Sequence, residues 1–243
     1  MIISEPVYLS VVVPSFKSAG ILEKNLPVLL SYLKKQDYTW EVIVVDDGSN
    51  DHGATQAVCS KLGCVFTQNE RNMGKGAAVR NGMKKACGRF RIFTDADIPY
   101  DLDTIGVILK FLDFKEFDMV MGDRNLQDSA YFLKIPKLRK ITSWFFTCFV
   151  GTIVTTNYFD TQCGIKGFKA EIADFIFQRA RIDEFAFDVE IVYISLKQRF
   201  EIKRIPVRLR NQEKSTVRVL RHGMVMFIDL FRMKINHMRG YYR

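Results

Sequence analysis

Histidine is scarce, three in 243 residues, and His52, His222 and His237 are too scattered to propose a zinc site. The five cysteines (59, 64, 87, 148 and 163) form no Cys-x-x-Cys pair, and their odd number leaves one unpaired in any disulfide scheme. No basic-then-apolar segment precedes the first expected strand, so the reading is a cytoplasmic protein in a reducing compartment. Internal repeats and low-complexity tracts are absent. So is any helix-turn-helix, RNA-recognition or finger motif, and a nucleic-acid partner is therefore not expected. The first expected strand exits into Pro14-Ser15-Phe16-Lys17 rather than a Gly-x-Gly-x-x-Gly turn, so a nicotinamide-binding fold fails locally. A segment of 19 residues, Ile141 to Phe159, carries no charge, but Thr142, Ser143, Thr147, Thr152, Thr155, Thr156 and Asn157 make it too polar to span a membrane. Its Ile141, Trp144, Phe145, Cys148 and Phe149 mark one apolar face. That face suits a helix at an interface, one lining an acyl-chain groove, or one buried by the tail.

What is present is enough apolar content, 48%, to bury a large single core. The formal charge of +9 is unevenly spread: residues 197–243 hold 13 Lys+Arg against 3 Asp+Glu, a net of +10, which leaves −1 for residues 1–196. In that tail Val217, Leu220, Met224, Phe227, Ile228, Phe231 and Ile235 recur at helical spacing, with Arg218, Arg221, Arg232, Lys234 and Arg239 around them. Such a segment either lies against anionic lipid headgroups or packs on the core with a solvated basic face. The expected organisation is a single domain over 1–216 and a basic amphipathic tail over 217–243.

Strands are expected near 8–13, 41–45, 64–68, 89–94, 118–121, 165–169 and 201–207. Helical patterns alternate with them at 20–35, 54–61, 76–86, 101–111, 137–155, 171–179 and 187–199, and a last one falls near 222–238. This alternation implies an α/β fold with a mostly parallel sheet covered by helices, whose ligands bind beyond the carboxyl ends of the strands. Two acidic clusters fall there. Trp40-Glu41-Val42-Ile43-Val44-Val45 breaks into Asp46-Asp47-Gly48-Ser49, and Arg91-Ile92-Phe93-Thr94 runs into Asp95-Ala96-Asp97. Carboxylates at i and i+2 share one face and suit a hard cation such as Mg²⁺ or Mn²⁺, although acidic pairs at strand ends are also common as solvated turns. Between the clusters, Gly74-Lys75-Gly76 opens a helix, where backbone N–H groups and Lys75 could face an anion, or form only a turn with an exposed lysine.

Taken in order, Val11-Val12-Val13-Pro14-Ser15-Phe16, Val44-Val45-Asp46-Asp47-Gly48-Ser49, Asn72-Met73-Gly74-Lys75-Gly76, Thr94-Asp95-Ala96-Asp97 and Gly122-Asp123-Arg124 resemble the inverting GT-A glycosyltransferases of family 2. Asp160-Thr161-Gln162-Cys163-Gly164-Ile165-Lys166-Gly167-Phe168 and Phe185-Ala186-Phe187-Asp188-Val189-Glu190 look like the branch that takes polyprenyl phosphates, dolichyl-phosphate glucosyltransferases included. The resemblance spans about residues 8 to 220. It implies a UDP- or GDP-sugar donor held by Pro14, Phe16, Asp46, Asp47, Lys75, Asp95 and Ala96, with Asp46 at the base. It further implies Mg²⁺ or Mn²⁺ on Asp97 assisted by Asp95, and a polyprenyl phosphate acceptor met by Arg124 and Gln162. Work at the inner face of a membrane through peripheral contact follows from such an acceptor. Asp188 stands where many relatives carry a catalytic base, and with a phosphate acceptor it would orient the site instead.

Lys17-Ser18 replaces the family's usual Asn-Glu, Asp51-His52-Gly53-Ala54-Thr55 carries one residue more than the usual Asp-Gly-Thr, and Pro99 stands where some mannose-transferring relatives have a Gln. Two alternatives remain open from the residues: a sugar hydroxyl as acceptor, with Asp188 as base, and a binding protein that kept the fold without turnover.

Overall fold

The structure, a computed structural model, describes residues 6–130, 151, 160–210 and 219–243. The expected helix at 137–155 and the uncharged 141–159 segment lie outside these, apart from Gly151, which is helical. The boundary expected at 216/217 also falls outside them.

Seven strands form one sheet: β1 (Leu9–Ser15), β2 (Trp40–Asp46), β3 (Val65–Gln68), β4 (Phe90–Phe93), β5 (Met119–Asp123), β6 (Lys166–Lys169) and β7 (Ile202–Pro206), in the order β3-β2-β1-β4-β6-β5-β7. Only β6 opposes its neighbours, pairing antiparallel with both β4 and β5, while every other pairing is parallel. The described helices are α1 (Ala19–Leu33), α2 (Ala54–Leu62), α3 (Lys75–Lys85), α4 (Asp103–Asp113), α5 (Ala170–Arg179), α6 (Phe187–Lys197) and α7 (Val219–Met238).

The central strands read as unbroken apolar runs because both of their faces are buried. In β1, Leu9, Val11 and Val13 pack into one core with Leu22, Leu26, Leu29 and Ile108 from α1 and α4. Val12 points the other way, into a second core with Ile43, Val45, Val79 and Met83 together with residues of α5 and α6. Successive side chains of a strand face opposite ways, so one run of valines serves both layers. The second core also takes Leu230, Met233 and Tyr242 from the C-terminal segment, each about 1% exposed. That segment's inner side is therefore core, whatever its outer side meets.

Candidate functional site

β1 lies between β2 and β4, with Ser15 paired to Asp46 and Val12 to Phe93. The chain therefore leaves all three strands at one end of the sheet, and the Pro14–Phe16 turn is flanked by Asp46 on one side and Asp95 on the other. Asp46 is buried. Its carboxylate accepts the Ser49 N–H at 3.1 Å and the Ser49 hydroxyl, whose oxygen accepts the Lys17 N–H at 2.7 Å. The exits of β1 and β2 are thus knitted together around one aspartate. A cleft of about 340 Å³ opens beside Asp46, lined also by Asn50, Asp51, Gln56, Phe66 and Gln68; Asp95 and Asp97 are not among the residues that line it.

Asp47 faces inward. It accepts Asn69 Nδ2 at 2.7 Å, Met73 N at 3.0 Å and Gly74 N at 2.8 Å, so it shapes the loop that leads into α3. The α3 N-terminus differs from the anion-facing arrangement that its glycines permit. Gly76 N and Ala77 N donate to the Asp183 carbonyl at 2.6 and 3.2 Å, and a Cβ on Gly74 or Gly76 would come within 2.5 or 2.7 Å of the 182–183 backbone. The glycines admit that loop, which takes the N–H groups an anion would need. Lys75 still reaches the site: Nζ lies 2.5 Å from Asp95 Oδ1 and 5.9 Å from the Phe187 ring centroid. Burial works against the Lys75 charge, but Asp95, Asp188 and Asp97 outweigh it, so its pKa is raised. Lys75 is thus held charged by three carboxylates, Asp95 in direct contact.

Asp95 and Asp97 are both partly exposed. Gly164 presses on the first: a Cβ there would sit 2.1 Å from Asp95 Oδ2, which accounts for glycine in the Gln162-Cys163-Gly164 stretch. Ala96 packs against the core beneath. Directly after Asp97, Ile98 adopts φ 44°, a left-handed backbone that a β-branched residue rarely takes, and its N–H donates to the Asp95 carbonyl at 2.9 Å. Arg210 braces this turn, giving Nη2 to the Ile98 carbonyl at 3.2 Å and to Asn25 Oδ1 at 3.1 Å.

Asp188, in the first turn of α6, forms a buried ion pair with Lys166, whose Nζ also donates to the Cys163 carbonyl at 2.8 Å. Burial pushes the Asp188 carboxyl up, while Lys166 and Lys75 pull it down. Glu190, in the same turn, is directed elsewhere: it accepts the N–H groups of Arg181 and Ile182 at 2.9 to 3.0 Å and the Tyr242 hydroxyl. On the β5 side, Arg124 clasps the buried Asp160, with Nη2 to Oδ1 at 2.5 Å, Nε to Oδ2 at 2.9 Å and its own backbone N–H to Oδ2 at 2.7 Å. Burial opposes the Arg124 charge and Asp160 restores it, so the guanidinium stays protonated. Gln162 is partly exposed two residues further on.

A family model described as glycosyl transferase family 2 matches residues 10–177. The chain belongs to that family. This glycosyltransferase is 30% identical over 252 residues to a dolichyl-phosphate beta-glucosyltransferase of Dictyostelium discoideum, covering 98% of the chain and 77% of the relative. It is 31% identical to the human dolichyl-phosphate beta-glucosyltransferase, covering 97% of the chain and 77% of the relative. Among solved structures, glucosyl-3-phosphoglycerate synthase from Mycobacterium tuberculosis, in complex with Mn²⁺, UDP and glucosyl-3-phosphoglycerate, superposes with a TM-score of 0.69 at 15% identity, over 93% of this chain and 80% of that one. Mannosyl-3-phosphoglycerate synthase from Rubrobacter xylanophilus gives 0.66 at 16% identity, over 96% of this chain and 74% of that one. At such identities these two establish the fold, GT-A.

The motifs of the family 2 glycosyltransferase are gathered at the sheet end where the sequence pattern put them. The residues that hold them were harder to anticipate. Ser49, Asp183, Tyr100, which accepts the Gly164 N–H at 3.3 Å, and Arg210 do their work through backbone contacts. Of these, only Ser49 lay inside a recognised motif, so Asp183 and Arg210 had no signal beyond their nearness to one.

Proposed function

We propose that this glycosyltransferase transfers a hexose, glucose in preference, with inversion, from a nucleoside-diphospho-sugar to a polyprenyl phosphate at the cytoplasmic face of a membrane. The observation that carries this reading is the identity of about 30% to dolichyl-phosphate beta-glucosyltransferases over nearly the whole chain. Pro99, two residues after Asp97, agrees with a glucosyl rather than a mannosyl donor.

The chemistry follows from charge. A nucleoside diphosphate leaves only if its negative charge is neutralised as the glycosidic bond breaks. Among the described residues no group of three or more His, Cys, Asp or Glu side chains is placed to hold a metal ion by itself, but Asp95 and Asp97 offer hard oxygens, and two carboxylates completed by substrate phosphates fit Mg²⁺ or Mn²⁺. Such an ion, when bound, would supply positive charge at the departing phosphate. Lys75 is the chain's own cation there. In the absence of donor it neutralises Asp95, and with donor bound it is free to turn toward phosphate oxygens. Asp46 and the Pro14–Phe16 turn face the nucleoside, and Asp47 keeps the Lys75 loop in shape.

A phosphate acceptor is anionic near neutral pH and needs no base to attack. Asp188, buried and paired with Lys166, fits an orienting role under Lys75 and Asp95. Arg124 and Gln162 receive the acceptor phosphate, Asp160 fixing the plane of the guanidinium. Mass spectrometry of products, after incubation with Mn²⁺, a panel of UDP- and GDP-sugars and a short polyprenyl phosphate, tests the reading. A hexosyl phospholipid supports it. Transfer only to a sugar hydroxyl, or no transfer from any donor, overturns it.

A further inference from the structure

α7 has two apolar sides. Leu230 and Met233 face the core, while Ile228, Phe231, Ile235 and Met238 are 53%, 59%, 42% and 76% exposed at spacings of three, four and three, and Tyr241 continues the line past the helix end at 45%. Spacing of this kind puts four side chains on a single outward stripe of the helix. Exposed apolar residues scattered singly are ordinary, but a continuous stripe on one element marks a surface that meets something else.

The charges around the stripe indicate what it meets. Arg232, Lys234, Arg239 and Arg243 are all exposed, and the acidic residue of this segment, Asp229, is buried and ion-paired to Arg232 at 3.3 Å. Apolar side chains rimmed by cations match an anionic bilayer, which offers hydrocarbon beneath a negatively charged surface. No helix among the described residues is long and apolar enough to cross a membrane.

The helix also stands in a fixed relation to the catalytic end. Its inner side packs through Leu230 and Met233, and the turn after it is anchored by Tyr242, which donates to Glu190, by Gln198 Nε2 donating to the Tyr242 carbonyl at 2.6 Å, and by the Arg179 side chain donating to the Arg243 carbonyl at 2.8 Å. The Asp229 carboxyl, pushed up mainly by burial, also feels Asp183, whose carbonyl caps α3 beside Lys75.

We infer that the outer stripe of α7, Ile228 to Met238 with Tyr241, inserts at the surface of an anionic bilayer and carries the catalytic end of the sheet to lipid-borne acceptor. The inference rests on a lipid phosphate as acceptor, but its test is separable from that. Full-length protein is mixed with phosphatidylcholine vesicles with and without phosphatidylglycerol and sedimented at low and high salt. Wild type pellets with the anionic vesicles and is released by salt. The exposed pair Ile235→Gln and Met238→Gln weakens vesicle affinity by at least about tenfold, since each loses apolar area from the bilayer. Lys234→Gln with Arg239→Gln, both exposed, reduces the preference for anionic lipid.

Nucleotide binding and the circular dichroism spectrum stay as in wild type for both variants. Activity on a water-soluble short-chain polyprenyl phosphate also stays, whereas activity on vesicle-borne acceptor falls with binding. The inference is overturned if wild type ignores anionic vesicles or if the apolar variant binds like wild type. It is equally overturned if gel filtration without lipid finds a wild-type dimer that the apolar variant splits, for then the stripe is a protein interface. If vesicle binding follows α7 but neither acceptor is glycosylated, the acceptor reading fails and the membrane surface stands.

Discussion

The Tyr242 hydroxyl donates to the Glu190 carboxylate across 52 residues of sequence, and that one contact ties the end of the chain to the loop that closes α3. Glu190 already holds the Arg181 and Ile182 N–H groups, and the Asp183 carbonyl next to them caps Gly76 and Ala77. The C-terminal turn thus supports the peptide segment on which Lys75 rests. Tyr242→Ala, which empties a fully buried aromatic position, is expected to cost about 3–5 kcal/mol, and Tyr242→Phe about 1–3 kcal/mol for the lost hydroxyl. Urea denaturation measures both. An unchanged midpoint for Tyr242→Ala would mean that the tail is not part of the core.

Asp97→Asn is expected to lower turnover by at least about a hundredfold, because it removes one charge-stabilising group beside the leaving diphosphate. Excess EDTA should abolish the activity of the wild type and Mn²⁺ restore it. Full turnover in EDTA would end the metal assignment to Asp95 and Asp97.

Lys166 and Asp188 neutralise each other at 0% and 5% side-chain exposure. Removing one partner strands the other charge, so Asp188→Ala is expected to destabilise by about 3–5 kcal/mol, and the double change Lys166→Met with Asp188→Leu by much less. If the double variant is no more stable than the single one, the loss comes from packing and not from the stranded charge.

The sequence already marked all seven described strands and all seven described helices, because β-branched runs and period-3.6 patterns follow directly from which faces are buried. It also placed Asp46, Asp95 and Asp97 at one sheet end. Two things were hidden. Gly74-Lys75-Gly76 is by composition either an anion cradle or a plain turn, and the carbonyl that fills it comes from Asp183, more than a hundred residues on. In the tail, spacing signals an apolar stripe without saying which side is buried: Ile228, Phe231 and Ile235 were legible and turn outward, while Leu230 and Met233 do the packing.

The thiols give a pH test. Burial pushes Cys163 from its ordinary 9.0 to about 11 and Cys59 from 9.0 to about 12, and both are fully buried, whereas Cys87 is exposed. A thiol whose pKa is raised on folding stabilises the protein below the unfolded value and loses that contribution as pH climbs through the folded one. Here the window runs upward from 9.0 to about 11 for Cys163. Iodoacetamide on native protein at mildly alkaline pH should therefore label Cys87 and spare Cys59 and Cys163 until the chain is unfolded. Peptide mass mapping reads this directly, and prompt labelling of Cys163 would contradict its burial against Gly122.

Ile98 carries the last prediction. A β-branched residue at φ 44° costs on the order of 1–3 kcal/mol, and it persists only if its surroundings impose it. Its side chain is 2% exposed, and its carbonyl accepts Arg210 Nη2 at 3.2 Å and Nε at 3.4 Å, while Arg210 N donates to the Pro99 carbonyl at 2.7 Å. Arg210 belongs to the basic segment, yet here it acts on the backbone that aims Asp97. Arg210→Ala should let the turn relax toward an unstrained conformation and move Asp97 off its direction. A displacement of about 1 Å at a reacting group can cost on the order of a hundredfold in rate. The expected result is a fall in kcat of roughly tenfold to a hundredfold, with a higher concentration of Mn²⁺ needed for half activation, while Arg210→Lys, still able to reach one carbonyl, recovers part of both. A merely structural arginine would lower stability and leave the Mn²⁺ requirement where it was. Titrating Mn²⁺ against turnover for the three proteins, beside their urea midpoints, separates the two. If half activation comes at the same Mn²⁺ concentration in all three, Arg210 does not aim Asp97.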